Sequence, residues 1–412
     1  MNDYTDLQLR GSIWSQGSFE IRPLFRYRKR YTYNGQLELT YQRDRRGESR
    51  DPTFQNRHEG ELRWSHQQTL SPTATFGGNV NLVTSSDFSR RNTESFDEAI
   101  RQQITSNIRY SKQWPGGGRS LNISTSQRQQ LQSGQANLTL PSLDFSQRRF
   151  KPFARDSQVG EERWYEKITT QYDLSVNNRY TFNPRDPEQL RARGDSALAA
   201  EVEAADIDWY EALVNRDKYQ LATGDDEPFD FEATHRIPVQ ASFRVNRFNL
   251  NLSPSVDYQS DWFISTRRKQ LVLDSTFVES TTGADSLASV DQRTEDAARP
   301  GFYARHDFST SLSASSELFG TFPVGVGPFR GLRHRLQPSL SFRFQPNFND
   351  PFWGRTRSYV ADTLGTIRRY DIVTGRDVRG STEQRSLSFS LGNEFETKRV
   401  RVDTTGEEQT DK

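Results

Sequence analysis

The chain has 412 residues, with 55 Lys+Arg against 54 Asp+Glu, no cysteine and only 32% hydrophobic residues. This balance lacks the basic excess of a nucleic-acid binder, the absent thiols exclude disulfides and cysteine-ligated zinc within the chain, and no stretch approaches the roughly 18 apolar residues of a spanning helix. A transmembrane β-barrel stays open, because its strands are only about half apolar.

In chain order, MNDYTDLQLRGSIW lacks a basic region followed by an apolar core, so no secretory signal is legible there. FEIRPLFRYR then sets Phe19, Ile21, Phe25 and Tyr27 opposite Glu20, Arg22, Arg26 and Arg28. RYTYNGQLELTYQRD continues with Tyr31, Tyr33, Gly35, Leu37, Leu39 and Tyr41 on one side and Thr32, Asn34, Gln36, Glu38, Thr40 and Gln42 on the other. Period-two patterning predicts strands with two unlike faces. ATFGGNVNL, KITTQYDLSVN, IPVQASFRV, FNLNLSPSVDY, FYARHDFSTSLSA, LRHRLQPSLSFRF and SLSFSLGNEF repeat it. Roughly a dozen such segments have about the 9–11 residues that a tilted membrane strand needs.

The connections divide into two kinds. Leu70-Ser71-Pro72 and the WPGGG of 114–118 are compact breakers. The stretches 44–61 and 84–101 are long and charged. Short turns on one side and long polar loops on the other are the plan of an outer-membrane barrel, short side periplasmic and long side extracellular. Residues 183–233 interrupt the pattern with an Ala-, Glu- and Leu-rich, helix-like stretch, read as a loop insertion. Irregular loops are expected at about 276–300 and 346–382. Trp14, Tyr41, Trp64, Tyr110, Trp114 and Trp262 near strand ends fit interfacial aromatic girdles, although aromatics also favour strands generally.

No catalytic constellation is nominated. The five histidines form no zinc spacing, and GDDEPFDFE (224–232), with Asp225, Asp226, Glu227 and Asp230, lacks the spacing of an EF-hand. The expectation is no enzyme, no cofactor and no metal site. Among the arginines on the polar faces, Arg22, Arg26, Arg28, Arg244, Arg333, Arg335 and Arg343 are candidate lumen-facing contacts for saccharide and phosphate groups. The alternative is that each pairs with a carboxylate on a neighbouring strand.

Four blocks then carry a resemblance: NDYTDLQLRGSIWSQGSFEIRPLFRYRKRYTYNGQLELTY (2–41), LTLPSLDFSQRRFKPF (138–153), ERWYEKITTQYDLS (162–175) and LRHRLQPSLSFRFQPNF (332–348). In order and spacing they resemble the LptD family of lipopolysaccharide-assembly outer-membrane proteins in its Bacteroidetes-type form. The resemblance implies a large antiparallel transmembrane β-barrel in the cell outer membrane. Its implied partners are lipopolysaccharide, membrane lipid, an LptE-like lipoprotein plug and the periplasmic bridge proteins. It also implies that the lipid leaves through a seam between the first and last strands while the saccharide passes through the lumen. The chain opens in barrel-like sequence and closes on VDTTGEEQTDK, which reads as a loop. It is therefore expected to be an internal part of one barrel domain, with the gate residues outside it. A passive porin, a TonB-type nutrient transporter and a soluble surface β protein are the rival readings.

Overall fold

The computed structural model describes every residue except 1–2, 48–49, 51–53, 85–102, 117, 156, 158–159, 247–248, 279–285, 324–328, 403–407 and 412. Most of the described residues form one antiparallel sheet of 17 strands. It begins with β1 (Thr5–Ile13), β2 (Phe19–Lys29), β3 (Tyr33–Arg46), β4 (Gln55–Ser71) and β5 (Ala74–Val83). It continues with β6 (Gln103–Trp114), β7 (Arg119–Gln130), β8 (Ala136–Phe150), β9 (Thr169–Phe182), β10 (Phe229–Gln240) and β11 (Phe243–Val245). The far half holds β12 (Leu250–Val278), β13 (Ser286–Ser316), β14 (Leu318–Phe322) and β15 (Phe329–Gln345). A separate pair, β16 (Thr356–Val360) and β17 (Ile367–Asp371), precedes β18 (Gln384–Val402) and β19 (Glu408–Asp411).

The topology is a meander. Each strand from β1 to β10 pairs antiparallel with the next. β10 and β11 both pair with β12, and β13 and β14 both pair with β15, so each couple acts as one interrupted strand. β15 passes to β18 and β18 to β19. The turns follow the breakers: Pro72 and Thr73 join β4 to β5, and between β6 and β7 Gly116 and Gly118 take φ of 76° and 61°, a left-handed region open to glycine at no steric cost.

The two faces are inverted relative to a soluble protein. Leu7, Phe25, Leu37, Trp64 and Val80 stand opposite one another across five strands, and this apolar face is the exposed one. Leu9 is 68% exposed and Ile13 87%. The polar row Asp6, Arg26, Gln36, Ser65, Asn79 and Asn107 runs on the other face. Several polar side chains of that parity are buried in it, Glu61 at 7% exposed and Asp261 at 1%. An apolar surface of this extent in contact with water would drive aggregation; against lipid it is satisfied.

Three expectations are corrected. Within 276–300 the described residues are not irregular, since β12 runs to Val278 and β13 starts at Ser286 and the two pair antiparallel, while 279–285 lie outside the described residues. Its Ser-, Thr- and Asp-rich composition resembles a loop, but cross-strand groups such as Gln270 Nε2 on Glu295 Oε2, at 2.9 Å, satisfy it as a ladder. Residues 346–382 hold the β16–β17 pair in place of an irregular loop. Part of the charged close, Glu408–Asp411, pairs with β18 as β19. The connection expected at 84–101 lies almost wholly outside the described residues. The 44–61 connection shrinks to 47–54, because β3 and β4 extend through its flanks.

The insertion 183–233 carries four short helices: α1 (Pro187–Ala192), α2 (Ser196–Ala205), α3 (Trp209–Val214) and α4 (Arg216–Thr223). Local chemistry starts and stops them. Asp186 caps α1 by accepting from the Glu188 amide at 2.9 Å, with Pro187 in the first turn. Asn215 Oδ1 caps α4 through the Lys218 amide at 3.1 Å, and Gly224 ends that helix at φ 81°.

Candidate functional site

The functional surface is the wall itself, so each face is described with what sits on it. On the polar face, β10, β12 and β13 build the most buried charge. The Asp261 carboxylate accepts from Arg305 Nη2 at 2.7 Å and Nε at 3.2 Å, from Gln259 Nε2 at 2.9 Å and from Thr234 Oγ1 at 2.9 Å. Alternation of β12 puts Asp257, Gln259 and Asp261 on one side, and register brings Thr234 and Arg305 directly opposite Asp261.

The seven expected arginines do not converge on one point. Arg22 stands opposite Arg10 and lies 3.3 Å from Glu20. Arg26 Nη2 donates to Gln8 Oε1 at 2.9 Å, with Asp6 at 3.8 Å. Arg28 joins Arg26, Asp6 and Gln36 around a cleft of about 440 Å³ at the short-turn end of β1–β3. Arg244 donates to Asn249 Oδ1 at 2.7 Å. Arg333 lies 3.4 Å from Glu396 and over the Phe319 ring. Arg335 binds Glu317 and, at 3.1 Å, Glu394. Arg343 is at the other end of β15, its Nη2 donating to Ser309 Oγ at 3.4 Å. Carboxylates thus engage Arg22 from its own strand and Arg26, Arg333 and Arg335 from neighbouring segments, while Arg28, Arg244 and Arg343 face polar surroundings.

The exposed face carries an unforeseen pattern of Tyr–His clasps. Tyr27 meets His66 Nδ1 at 2.9 Å, Tyr41 meets His58 at 2.7 Å, Tyr172 meets His235 at 2.8 Å and Tyr258 meets His306 at 2.8 Å. Each hydroxyl thereby keeps a partner on a face without water. Rings extend these clasps: Trp114, Phe145, Tyr172, His235, Trp262 and Phe302 follow one another at centroid spacings of 6.4, 6.0, 6.1, 4.1 and 5.7 Å. Trp64, Trp114 and Trp262, expected in girdles, all sit in such ring contacts.

Gly35 makes the first clasp possible. A Cβ there would lie 2.5 Å from the Tyr27 hydroxyl and 2.6 Å from the Ser65 carbonyl oxygen, so the bare backbone lets the Tyr27 ring lie across β3 and accept Trp64 Nε1 at 3.1 Å. Gly35→Ala is expected to destabilise the protein by about 1–3 kcal/mol through overpacking. Gly11→Ala, whose added carbon meets nothing closer than 3.8 Å, serves as the control. Urea unfolding in lipid vesicles reads the difference, and equal stabilities would contradict this role.

The two elaborate connections on the long-loop side seat on opposite faces. Ala212, Tyr219 and Ala222 of the helical insertion form a core with Ala136, Leu138, Tyr180 and Phe182, all from the apolar parity of β8 and β9. Two hydrogen bonds pin it: Tyr180 to the Trp209 carbonyl at 3.0 Å and Tyr219 to the Thr181 carbonyl at 2.8 Å. In α3 and its approach, burial followed by Asp206 and Glu211 pushes the Asp208 carboxyl up, against the lowering bond from Tyr210.

The β16–β17 pair instead meets the β12–β13 extension from the parity that carries Asp261. Lys269 Nζ lies 3.1 Å from Asp377 Oδ1, which also accepts from Tyr359 at 3.0 Å. Burial opposes ionisation of Asp377, yet Lys269, Tyr359 and Arg368 hold its carboxyl below the ordinary aspartate value of 3.8. A depressed folded-state pKa stabilises docking above that ordinary value and loses the contribution as pH falls through the depressed one. Amide exchange over 356–371, corrected for intrinsic rates, is therefore expected to stay flat down to about pH 4 and to rise below it. The same rise in Asp377→Asn would contradict the latch.

The short-turn side has one exception, residues 151–168. There Glu166 is held by Arg155 and accepts from the Arg163 amide at 2.7 Å. The Arg155 bond first, then that amide, hold the Glu166 carboxyl below its usual range.

Comparison with curated proteins finds no match. Among solved structures, the FrpB iron transporter from Neisseria meningitidis (F5-1 variant) is similar at 7% identity and TM-score 0.21, covering 84% of this chain and 56% of that one. Its apoprotein form is similar at 9% identity and TM-score 0.22, covering 95% of this chain and 66% of the other. The chain therefore spans less than two thirds of either protein's length, and a likeness of this degree carries no assignment. The sequence comparison is of another kind, since a family described as LptD protein matches residues 1–412. With every strand of the inverted sheet inside that match, the chain belongs to the LptD family and is wall of an outer-membrane β-barrel.

Proposed function

We propose that the chain is barrel wall of the translocon that inserts lipopolysaccharide into the outer leaflet of the outer membrane. The observation that carries this reading is the family match along all of residues 1–412. The inverted sheet supports it physically. A face of Leu, Phe and Trp suits acyl chains, and a face of Arg, Asp, Gln and Ser suits a hydrated, charged saccharide. Arg26 and Arg28 line the polar face towards the short-turn, periplasmic end, Arg22 stands nearer the other end of β2, and Arg244, Arg333, Arg335 and Arg343 lie on the far half of the same face. In this reading they hand phosphate and carboxylate groups along the lumen by exchanging their present partners for those of the cargo. An LptE-like lipoprotein plug and the periplasmic bridge proteins are the proposed partners, with lipopolysaccharide and membrane lipid as the ligands.

Depletion of the full-length protein tests this. Newly made lipopolysaccharide is measured at the cell surface with an impermeant probe and compared with the total pool. Arrested surface delivery with continued synthesis is the expected result. Normal delivery would overturn the export role and leave a passive porin or nutrient transporter, to be tested by solute uptake.

A further inference from the structure

The register that separates the two faces also sorts the charges. The parity of Leu7, Phe25, Leu37 and Trp64, followed along the paired residues of β1 to β10, holds no Asp or Glu. Its cations stand only towards strand ends. Lys29, Lys112 and Arg119 lie at the short-turn end, and Arg43 and Arg45 at the long-loop end. Arg43 comes ten residues after Tyr33, the partner of Lys29. That is about 33 Å along a strand, or about 25 Å of height at a tilt near 40°, the thickness of the apolar band of an outer-membrane barrel. These cations therefore mark the two borders of the band.

The short-turn border has a composition of its own. Lys29 is exposed at the end of β2, near Tyr27 and Tyr33, whose rings lie 6.1 Å apart. Lys112 stands opposite Leu121, and Arg119 opposite Trp114. The partners of these cations are neutral: Lys112 Nζ donates to Thr73 Oγ1 at 3.0 Å, and Arg119 Nε to Gln147 Oε1 at 2.6 Å. Among the described residues no carboxylate pairs with any of the three. Arg333 and Arg335 on the polar parity, by contrast, each meet one. Two residues deeper on the same parity stand Tyr27 beside Lys29 and Tyr110 beside Lys112, and Trp114 closes the row. Rings at the border with cations reaching past them are how side chains meet both acyl chains and headgroups.

We propose that Lys29, Lys112 and Arg119 form a binding row for anionic phospholipids in the leaflet at the short-turn border. The row continues the apolar face, so acyl chains lie against that face while phosphates meet its border cations. Charge selects the lipid. A zwitterionic headgroup carries its own cation beside the phosphate and gains little from three more, whereas an anionic headgroup is neutralised by them. The inference goes beyond the translocon reading and needs only the two-faced wall, so it stands or falls independently of surface delivery.

Electron spin resonance of spin-labelled lipids tests this on the full-length protein in phosphatidylcholine vesicles. The fraction of label immobilised at the protein gives its preference for phosphatidylglycerol over phosphatidylcholine. That preference is expected to be at least about threefold in about 10 mM salt. In about 1 M salt, where the Debye length is about 3 Å, it is expected to fall towards unity. Lys29→Gln, Lys112→Gln and Arg119→Gln combined are expected to remove at least about half of it. Lys29→Gln alone, at an exposed strand end, is expected to remove a smaller part, and it serves where the combined variant does not fold. Arg10→Gln, Arg109→Gln and Arg128→Gln combined make the same charge change on the polar parity and are expected to leave the preference unchanged. Retained heat-modifiable mobility on gels establishes that each variant is folded. No preference in the native protein, a preference that the border variants keep in full, or an equal loss in the polar-parity variant would each overturn the row.

Discussion

Asp261→Ala is expected to destabilise the protein by about 3–5 kcal/mol, the usual consequence of breaking a buried ion pair from one side. Its carboxylate is 1% exposed and accepts four hydrogen bonds, two of them from Arg305. Removal takes from the Arg305 side chain, itself only 22% exposed, the nearer of its carboxylate partners and leaves Asp307 at 3.8 Å, and it leaves Gln259 and Thr234 without this acceptor. Asp261→Asn keeps one carbonyl oxygen as acceptor and is expected to cost less than the alanine variant. Urea unfolding in lipid vesicles measures both. A loss under about 0.5 kcal/mol for Asp261→Ala, within the range of an ordinary surface change, would show that water reaches this point of the polar face freely.

Leu39→Arg produces the second large effect, about 2–4 kcal/mol, the cost of a guanidinium on the lipid side near the bilayer midplane. Leu39 lies on the exposed face opposite Leu62, which is itself opposite Leu82. Ser313→Lys on the other face, where Ser253 and Ser341 are its cross-strand neighbours, is expected to stay within about 0.5 kcal/mol. The contrast between the two matters more than either value. In a soluble protein the contrast would vanish, since the exposed leucine would tolerate charge as the half-exposed serine row does.

The wall was legible in the sequence because its signal is local. A strand with unlike faces writes period two into every ten residues, and 30–44 displays Leu37, Leu39 and Tyr41 against Gln36, Glu38 and Thr40 without help from any other segment. What was not legible depends on register between distant strands. Tyr27 and His66 are 39 positions apart, and only the pairing of β2 with β3 and of β3 with β4 makes them neighbours. The same holds for Asp261 with Arg305. The strand residues 276–278 and 286–300 were missed because their composition is that of a loop, and the ladder that orders them is a pairwise property. The helical insertion was visible as helix-like, but its seat on the apolar parity of β8 and β9 follows from Tyr180 and Phe182, which read as ordinary strand residues. Among the arginines, alternation was silent about partners, so it did not separate Arg335, bound by Glu317 and Glu394, from Arg343, which donates to Ser309.

The central claim is that the apolar face meets lipid and the polar face meets water. Since residues 1–412 contain no cysteine, single cysteines at each position from 36 to 41 can be labelled with a fluorophore in full-length protein freed of any other thiol and placed in vesicles. Quenching is then compared between a lipid-borne nitroxide and aqueous iodide. The expected result is strict alternation, with labels at 37, 39 and 41 quenched from the lipid and labels at 36, 38 and 40 quenched from water. Quenching with the opposite phase, or with no period of two, would contradict the assignment of the two faces and with it the barrel wall.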